Sequence, residues 1–402
     1  MRQGCTNSFL EAGVDSLTGG PATPASVAFL DADDSIVRRA SAILPELALA
    51  PLLLGAVPLP SESAEAFAAR AVREAHGDAG PSLMLAASLE LQGVGGVGHW
   101  LTRDDVADVC RRHAGRHGLV RLALALMDHG HQVRTLGVVI PGSVADRPAA
   151  GSAPSWERFW VPSGYGRSLS EIAALGNTLT TVDKIFLDLR RRLVERNVDV
   201  FEAHLTVDCP TEETVAQFRS ACAELGVKAI QIELPKGAVP SHLITGSFYS
   251  GALPEVRGRV EVLAAALRAR GFTVARLKIE AMMSNAGIPR TDGEAAALPP
   301  TNYFELHAKV FLPEGADTGG LLGLCIAHDA HLSRNASNRA RNGGLERFTT
   351  QRFYGVGRAT AEAKFLRFVG ALKDGGYEIT SILKEYALLD TNLSLDAGWL
   401  TV

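Results

Sequence analysis

A chain of 402 residues is long enough for two or three domains, and 47% hydrophobic against 21% charged residues gives it the composition of a globular protein with real cores. A formal net charge of -4 with no long basic run excludes sequence-independent nucleic-acid binding, which needs clustered Lys and Arg facing phosphates. Five cysteines, odd in number and without CxxC spacing, exclude a disulfide framework and a Cys-rich zinc site.

Residues 1–24 are polar and Gly-rich with no apolar run of the signal-peptide kind, and read as a flexible tail. Residues 26–30 read as a short buried strand, 34–44 as a helix and 52–57 as a strand. The longest apolar run, 47–60, is too short and too broken by proline to cross a bilayer. A cytoplasmic protein with no membrane partner is the expectation. Residues 61–75 form an amphipathic helix introduced by Ser61, Ser63 and Glu65. A strand at 82–91, a helix at 102–117, strands at 119–128, 132–140 and 157–162, and a helix at 169–196 follow. Strands alternating with helices argue an α/β domain over 25–196.

The stretch Trp156-Glu157-Arg158-Phe159-Trp160-Val161-Pro162-Ser163-Gly164-Tyr165-Gly166, followed by Ser170-Glu171-Ile172, resembles the late motif of the inosine triphosphate pyrophosphatase family. Strand 82–91 and the Gly-rich turn 93–98 fall in that family's order, so the resemblance covers 26–196. It implies an inosine triphosphate pyrophosphatase-like α/β fold, a purine enclosed by aromatics such as Trp156, and a homodimer. The departures are chemical. The phosphate-binding turn is replaced by Asp31-Ala32-Asp33, and the Lys position falls at Ile36. The acidic pair of the central strand is Ala86-Ala87, and the late Ser-His-Arg falls near Thr180-Thr181-Val182. Triphosphate hydrolysis needs Mg²⁺ on carboxylates and cations on the phosphates, so this half reads as degenerate, a fold kept after its chemistry was lost.

From residue 198 an internal repeat appears. Phe201-Glu202-Ala203-His204 returns as Phe304-Glu305-Leu306-His307, and Cys222 as Cys325, each 103 residues on. Thr245, Phe248-Tyr249 and Glu280 return as Thr350, Phe353-Tyr354 and Glu385, each 105 residues on. Each copy reads strand, helix, strand, strand, helix, strand. The fold class expected is therefore α/β and α+β: a pyrophosphatase-like domain, then two ferredoxin-like βαββαβ modules at 197–283 and 303–402. Residues 284–302 form the linker and a candidate lid. A face-to-face stack would cover the open side of each sheet.

A Glu and a His two apart on a strand share one face. Glu202/His204 and Glu305/His307, with Glu280 and Glu385 on the neighbouring last strands, could ligate a metal, do acid/base work or simply pair. Two histidines and a carboxylate compose the ligand set of mononuclear non-heme Fe(II) enzymes, so His204, Glu305, His307, His331 and Glu385 are the candidate ligands, with Mn or Zn as alternatives. Arg347, Arg352 and Tyr354 would orient the substrate; Trp156, Tyr249, Arg276, Lys278 and Arg334 would help bind it. The reading is an iron-dependent oxygenase acting on a nucleoside-like or heterocyclic small molecule. The alternatives are a nucleoside triphosphate pyrophosphatase, or a nucleotide-binding scaffold in which Arg276, Lys278, Arg334, Arg347, Arg352 and Lys384 hold an anion.

Overall fold

The computed structural model describes residues 25–32, 34–59, 62–79, 81–92, 99–101, 106–128, 132–150, 155–193, 198–208, 211–233, 241–316, 318–339 and 344–396. The expected tail and the Gly-rich turn at 93–98 lie outside them. The described residues fall into two compact units, one up to Val198 and one from Asp199 onward.

In the first unit β1 (Ala25–Leu30) runs into α1 (Asp34–Ile43), β2 (Leu47–Leu52), α2 (Ala64–Ala79), β3 (Ser82–Leu91), β4 (His99–Trp100), α3 (Val106–His113), β5 (His117–Met127) and β6 (Val133–Val144). Then come β7 (Trp160–Pro162), α4 (Leu169–Leu175) and α5 (Thr181–Leu193). The sheet order is β2-β1-β3-β5-β6-β7, with β1 parallel to both neighbours and the rest antiparallel. This is a mixed α/β sheet.

Local chemistry moves three expected boundaries. The second strand is 47–52, not 52–57, because the parallel register pairs Ala25 with Leu47 and leaves Leu53, Val57 and Leu59 exposed in the following loop. The expected strand at 157–162 opens as a single 3-10 turn, Trp156–Arg158, capped by the Ser155 side chain. The long helix splits at Gly176, which ends α4 in the left-handed region at φ 67°.

In the second unit the order is β8 (Val200–Val207), α6 (Glu212–Leu225), β9 (Lys228–Glu233), β10 (Ser241–Ser250), α7 (Leu253–Arg268), β11 (Val274–Met282) and a short α8 (Asp292–Ala296). It continues with β12 (Tyr303–Leu312), α9 (Gly319–Ala327), β13 (His331–Arg339), β14 (Leu345–Tyr354), α10 (Arg358–Asp374) and β15 (Glu378–Asp390). The strands close into one barrel, β10-β8-β11-β15-β12-β14-β13-β9. A face-to-face stack is thus replaced by edge-to-edge closure. Strand β11 pairs with β15 at one seam and β9 with β13 at the other, so these four strands all gain backbone partners.

Alternation then sorts the side chains. Phe201, Ala203, Leu205 and Val207 on β8, and Phe304, Leu306, Ala308 and Val310 on β12, join one apolar core with Phe218, Val260, Leu321, Phe365 and Phe368 of the helices. Their neighbours at 202, 204, 303, 305 and 307 face the lumen. Cys222 and Cys325 occupy matching buried helix positions, and burial pushes both thiols up to about 12, which leaves them inert at neutral pH. The segment read as a linker and lid is tied down near its start and at its middle. Asn285 Oδ1 accepts from Val200 N at 3.1 Å, and Asp292 Oδ1 accepts from Gly357 N at 2.7 Å. A capping box from Thr291 and Glu294 starts α8 at Asp292.

Candidate active site inside the barrel

The lumen holds most of the second unit's chemistry. The register places Glu202 beside Glu280, and Glu305 between Arg352 and Glu385. Both neighbour relations expected from the repeat, Glu280 with Glu202/His204 and Glu385 with Glu305/His307, are met. The Nε2 of His204 lies 3.6 Å from Glu202 Oε1 and 3.4 Å from Glu280 Oε2. The Nε2 of His307 lies 3.7 Å from Glu305 Oε1 and 3.8 Å from Glu385 Oε2. On the far side of each ring Nδ1 is anchored, to the Thr245 carbonyl oxygen at 2.9 Å and to Thr350 Oγ1 at 2.8 Å.

Cations stand among these carboxyls. Lys278 Nζ sits 2.7 Å from Glu280 Oε1 and 2.6 Å from Glu305 Oε2. Arg352 donates to Glu305 at 3.0 and 3.3 Å and to Asp396 at 2.8 Å. Arg276 bonds Asp390 through two nitrogens and Asp396 at 2.9 Å, and the Tyr303 hydroxyl donates to Asp390 at 2.8 Å. The network joins both repeats.

Its electrostatics differ from group to group. Burial pushes the Glu305 carboxyl up, but Arg352 and Lys278 outweigh it and hold it well below the usual carboxylate range. Burial, reinforced by Glu280 and Glu202, drives Glu385 well above that range, and its buried Oε1 has no hydrogen-bond partner among the described residues. Burial also raises Glu280, against the pull of Lys278. Burial lowers His307 to about 4, so its ring is neutral at pH 7. A carboxyl held low, two carboxyls pushed up and a neutral imidazole thus share one buried site, the condition for acid–base work.

Other expected residues fall elsewhere. His331 lies in the same cross-strand row as His307, but Thr350 stands between them, so the two histidines are not adjacent. Arg347 alternates to the face opposite Arg352, which parts those two expected substrate-orienting residues. Lys384 also points outward and pairs with Glu362 of α10 at 2.8 Å. Tyr249 is buried in the helix-side core, with Arg259 over its ring at 4.8 Å. Tyr354 is 42% exposed and lies against Tyr303, ring centroids 4.8 Å apart. For Arg334 only the backbone is described, paired with Arg347 and Glu233. Among the described residues no group of three or more His, Cys, Asp or Glu is placed to hold a metal ion. Lys278 stands between the carboxyls of Glu280 and Glu305, and Arg352 between those of Glu305 and Asp396.

The reading of single residues missed Asp396, which bridges Arg276 and Arg352, and Thr350. The alternation Arg276-x-Lys278-x-Glu280 was the signal that three charged groups share one face of β11.

In the first unit Trp156, Phe159 and Trp160 belong to the core, the last two with no exposed surface. Arg39 gathers both oxygens of Glu157 at 2.8 Å, Asp183 at 2.7 Å and Thr180 Oγ1 at 2.7 Å. After β1, Asp31 adopts φ 49°, and its carboxylate accepts the backbone N–H groups of Leu54, Gly55 and Ala56 at 2.8, 3.0 and 3.2 Å. An acid therefore occupies the turn where the family resemblance implies a phosphate.

No protein-family model matches the chain, and no curated protein matches it. Among solved structures, the N-terminal part is similar to nucleoside-triphosphatase / dITP/XTP pyrophosphatase from Mycobacterium abscessus. That match has 18% identity and a TM-score of 0.29, over 42% of this chain and 98% of the other. A HAM1 protein from Coxiella burnetii matches at 13% identity and TM-score 0.29, covering 42% of this chain and 95% of its own. The Ham1 protein of Staphylococcus aureus matches at 10% identity and TM-score 0.27, covering 42% and 94%.

Proposed function

We propose that the chain is an enzyme that moves protons on a small polar molecule held in the barrel lumen, with His204 and His307 as the acid–base pair. One observation carries the reading: two imidazoles, each pinned through Nδ1, each face a pair of carboxyl groups through Nε2 inside one closed barrel. The two β-α-β-β-α-β runs are duplicated ferredoxin-like modules in this view, and the two histidines are copies of one residue. Lys278 and Arg352 keep Glu305 ionised while burial pushes Glu280 and Glu385 up, so carboxyl groups of unlike acidity stand side by side. Nucleoside-like or heterocyclic molecules are the class to try first.

The iron reading takes His307 with His331 or His204, and Glu305 or Glu385; Glu305 would have to leave Lys278 and Arg352, and His331 to reach past Thr350, which leaves His204, His307 and Glu385 as its ligand set. It is the weaker of the two. A further reading assigns pyrophosphate release to the first unit, the activity named for the M. abscessus protein. Asp31 in the phosphate turn, and Ala86 and Ala87 where acids would be needed, weigh against it.

The test is turnover of a panel of nucleosides, nucleoside triphosphates and heterocyclic amines by the full chain, followed by mass spectrometry. His204→Gln and His307→Gln are run beside it, with and without chelator. Expected is a chelator-resistant product whose rate falls at least about 10²-fold in either variant. A wild-type rate in either variant would overturn the proposal. Pyrophosphate release that survives both substitutions would move the activity to the first unit, and activity restored only by iron would return the site to a metal.

A further inference from the structure

We propose that the two lumen histidine rings, in their neutral forms, are opposite tautomers. His204 carries its proton on Nδ1 and presents a bare Nε2 as the base; His307 carries its proton on Nε2 and acts as the acid, set by the Thr350 hydroxyl. The assignment of roles rests on the acid–base reading above.

The argument begins with a slip of one residue between the repeats. Sequence similarity matches Thr245 with Thr350, but the strand registers do not. His307 pairs across to Thr350. On the first copy Ile244 pairs with Thr206 and Ser247 with Ala203, which puts Gly246 across from His204 and turns Thr245 to the helix side. There Thr245 Oγ1 accepts from Leu205 N at 3.0 Å and cannot reach the ring. A side chain at Gly246 would press on Ile230, its Cβ only 3.0 Å from Cδ1. His204 Nδ1 therefore meets a main-chain carbonyl at 2.9 Å. A carbonyl oxygen only accepts, so Nδ1 is the protonated nitrogen. Thr350 Oγ1, 2.8 Å from His307 Nδ1, can donate as a carbonyl cannot, and in that role it places the proton of a neutral His307 ring on Nε2.

What faces each Nε2 fits this arrangement. The Nε2 of His204 is 3.4 Å from Glu280, which burial pushes up, and 3.6 Å from Glu202. The N–H of His307 is 3.7 Å from Glu305, which Arg352 and Lys278 hold as the anion.

Long-range ¹H–¹⁵N spectra of the [¹⁵N-His]-labelled full chain at neutral pH read the tautomers directly, with His204→Gln and His307→Gln assigning the two signals. Expected is the Nδ1–H pattern for His204 and the Nε2–H pattern for His307. The same tautomer in both rings, or an imidazolium in either, overturns the proposal. Thr350→Val should shift His307 toward the Nδ1–H form and leave His204 unmoved, Thr350→Ser should restore it, and Thr245→Val should change neither. A His307 pattern unaffected by Thr350→Val removes Thr350 as the positioning residue. These spectra need no substrate, so the tautomers stand or fall apart from turnover. Absence of turnover under the panel assay, with the spectra as expected, would sink only the catalytic role.

Discussion

Lys278 Nζ lies 2.6 Å from Glu305 Oε2, and the two residues belong to different repeats, reaching each other across β15. The contact exists only because the sheets close edge to edge. Lys278 also holds Glu280, so burial, which opposes its charge, is outweighed by two carboxylates and its pKa is raised. Removing one partner of a buried pair leaves the other charge uncompensated, which costs about 3–5 kcal/mol. Lys278→Met should lose stability on that scale in urea denaturation, and Lys278→Met with Glu305→Gln should recover part of it. A loss below about 1 kcal/mol would mean that water reaches these carboxyls.

His307 should make stability depend on pH. Its ring is pulled to about 4 from an ordinary 6.5, chiefly by burial. The unfolded chain therefore binds this proton between those values and the folded chain does not, so stability falls as pH drops from 6.5 to 4. In His307→Gln that slope should flatten, by an amount on the order of 2 kcal/mol across the window. Glu305 acts lower down. Its depressed carboxyl contributes stability that is lost as pH falls below the ordinary Glu value. Denaturation midpoints at several pH values, wild type beside variant, decide the matter; parallel curves would rule out a neutral buried His307.

Much of this architecture was legible in the chain. The recurrence of Glu-x-His, with Glu280 and Glu385 at the last strands, identified the lumen groups because strand alternation follows directly from sequence. Closure into a barrel was not legible, since β11–β15 and β9–β13 pairing depends on edges that no local pattern marks. Nor was the slip that separates Thr245 from Thr350. One residue of register turns a side chain from helix side to lumen, and only the fold reports it. The aromatics Trp156, Phe159 and Trp160 looked like part of a ligand loop, yet all three are buried in the core; an aromatic carries the same letter in either role.

Chelation should leave the barrel intact. The carboxyls of Glu280 and Glu305 are neutralised by Lys278 and Arg352 in place, so no ion is required to offset them. Dialysis against EDTA should shift the melting temperature by less than about 2 °C, within the change a few tenths of a kcal/mol produces. A larger drop, reversed by one equivalent of Fe(II), Mn(II) or Zn(II), would reinstate a metal at His204, His307 and Glu385.

The first unit offers a separate handle in Arg39. Its guanidinium bonds Glu157 and Asp183 at once, both largely buried, through a planar fork that an ammonium cannot copy. Arg39→Met should strand two carboxylates and cost about 3–5 kcal/mol, while Arg39→Lys, keeping charge but not geometry, should cost roughly half. Trp156 and Trp160 sit in this unit's core, so tryptophan fluorescence follows its unfolding. An Arg39→Lys protein as stable as the wild type would show that charge alone, not the bidentate geometry, holds α1 to the 3-10 turn at 156–158.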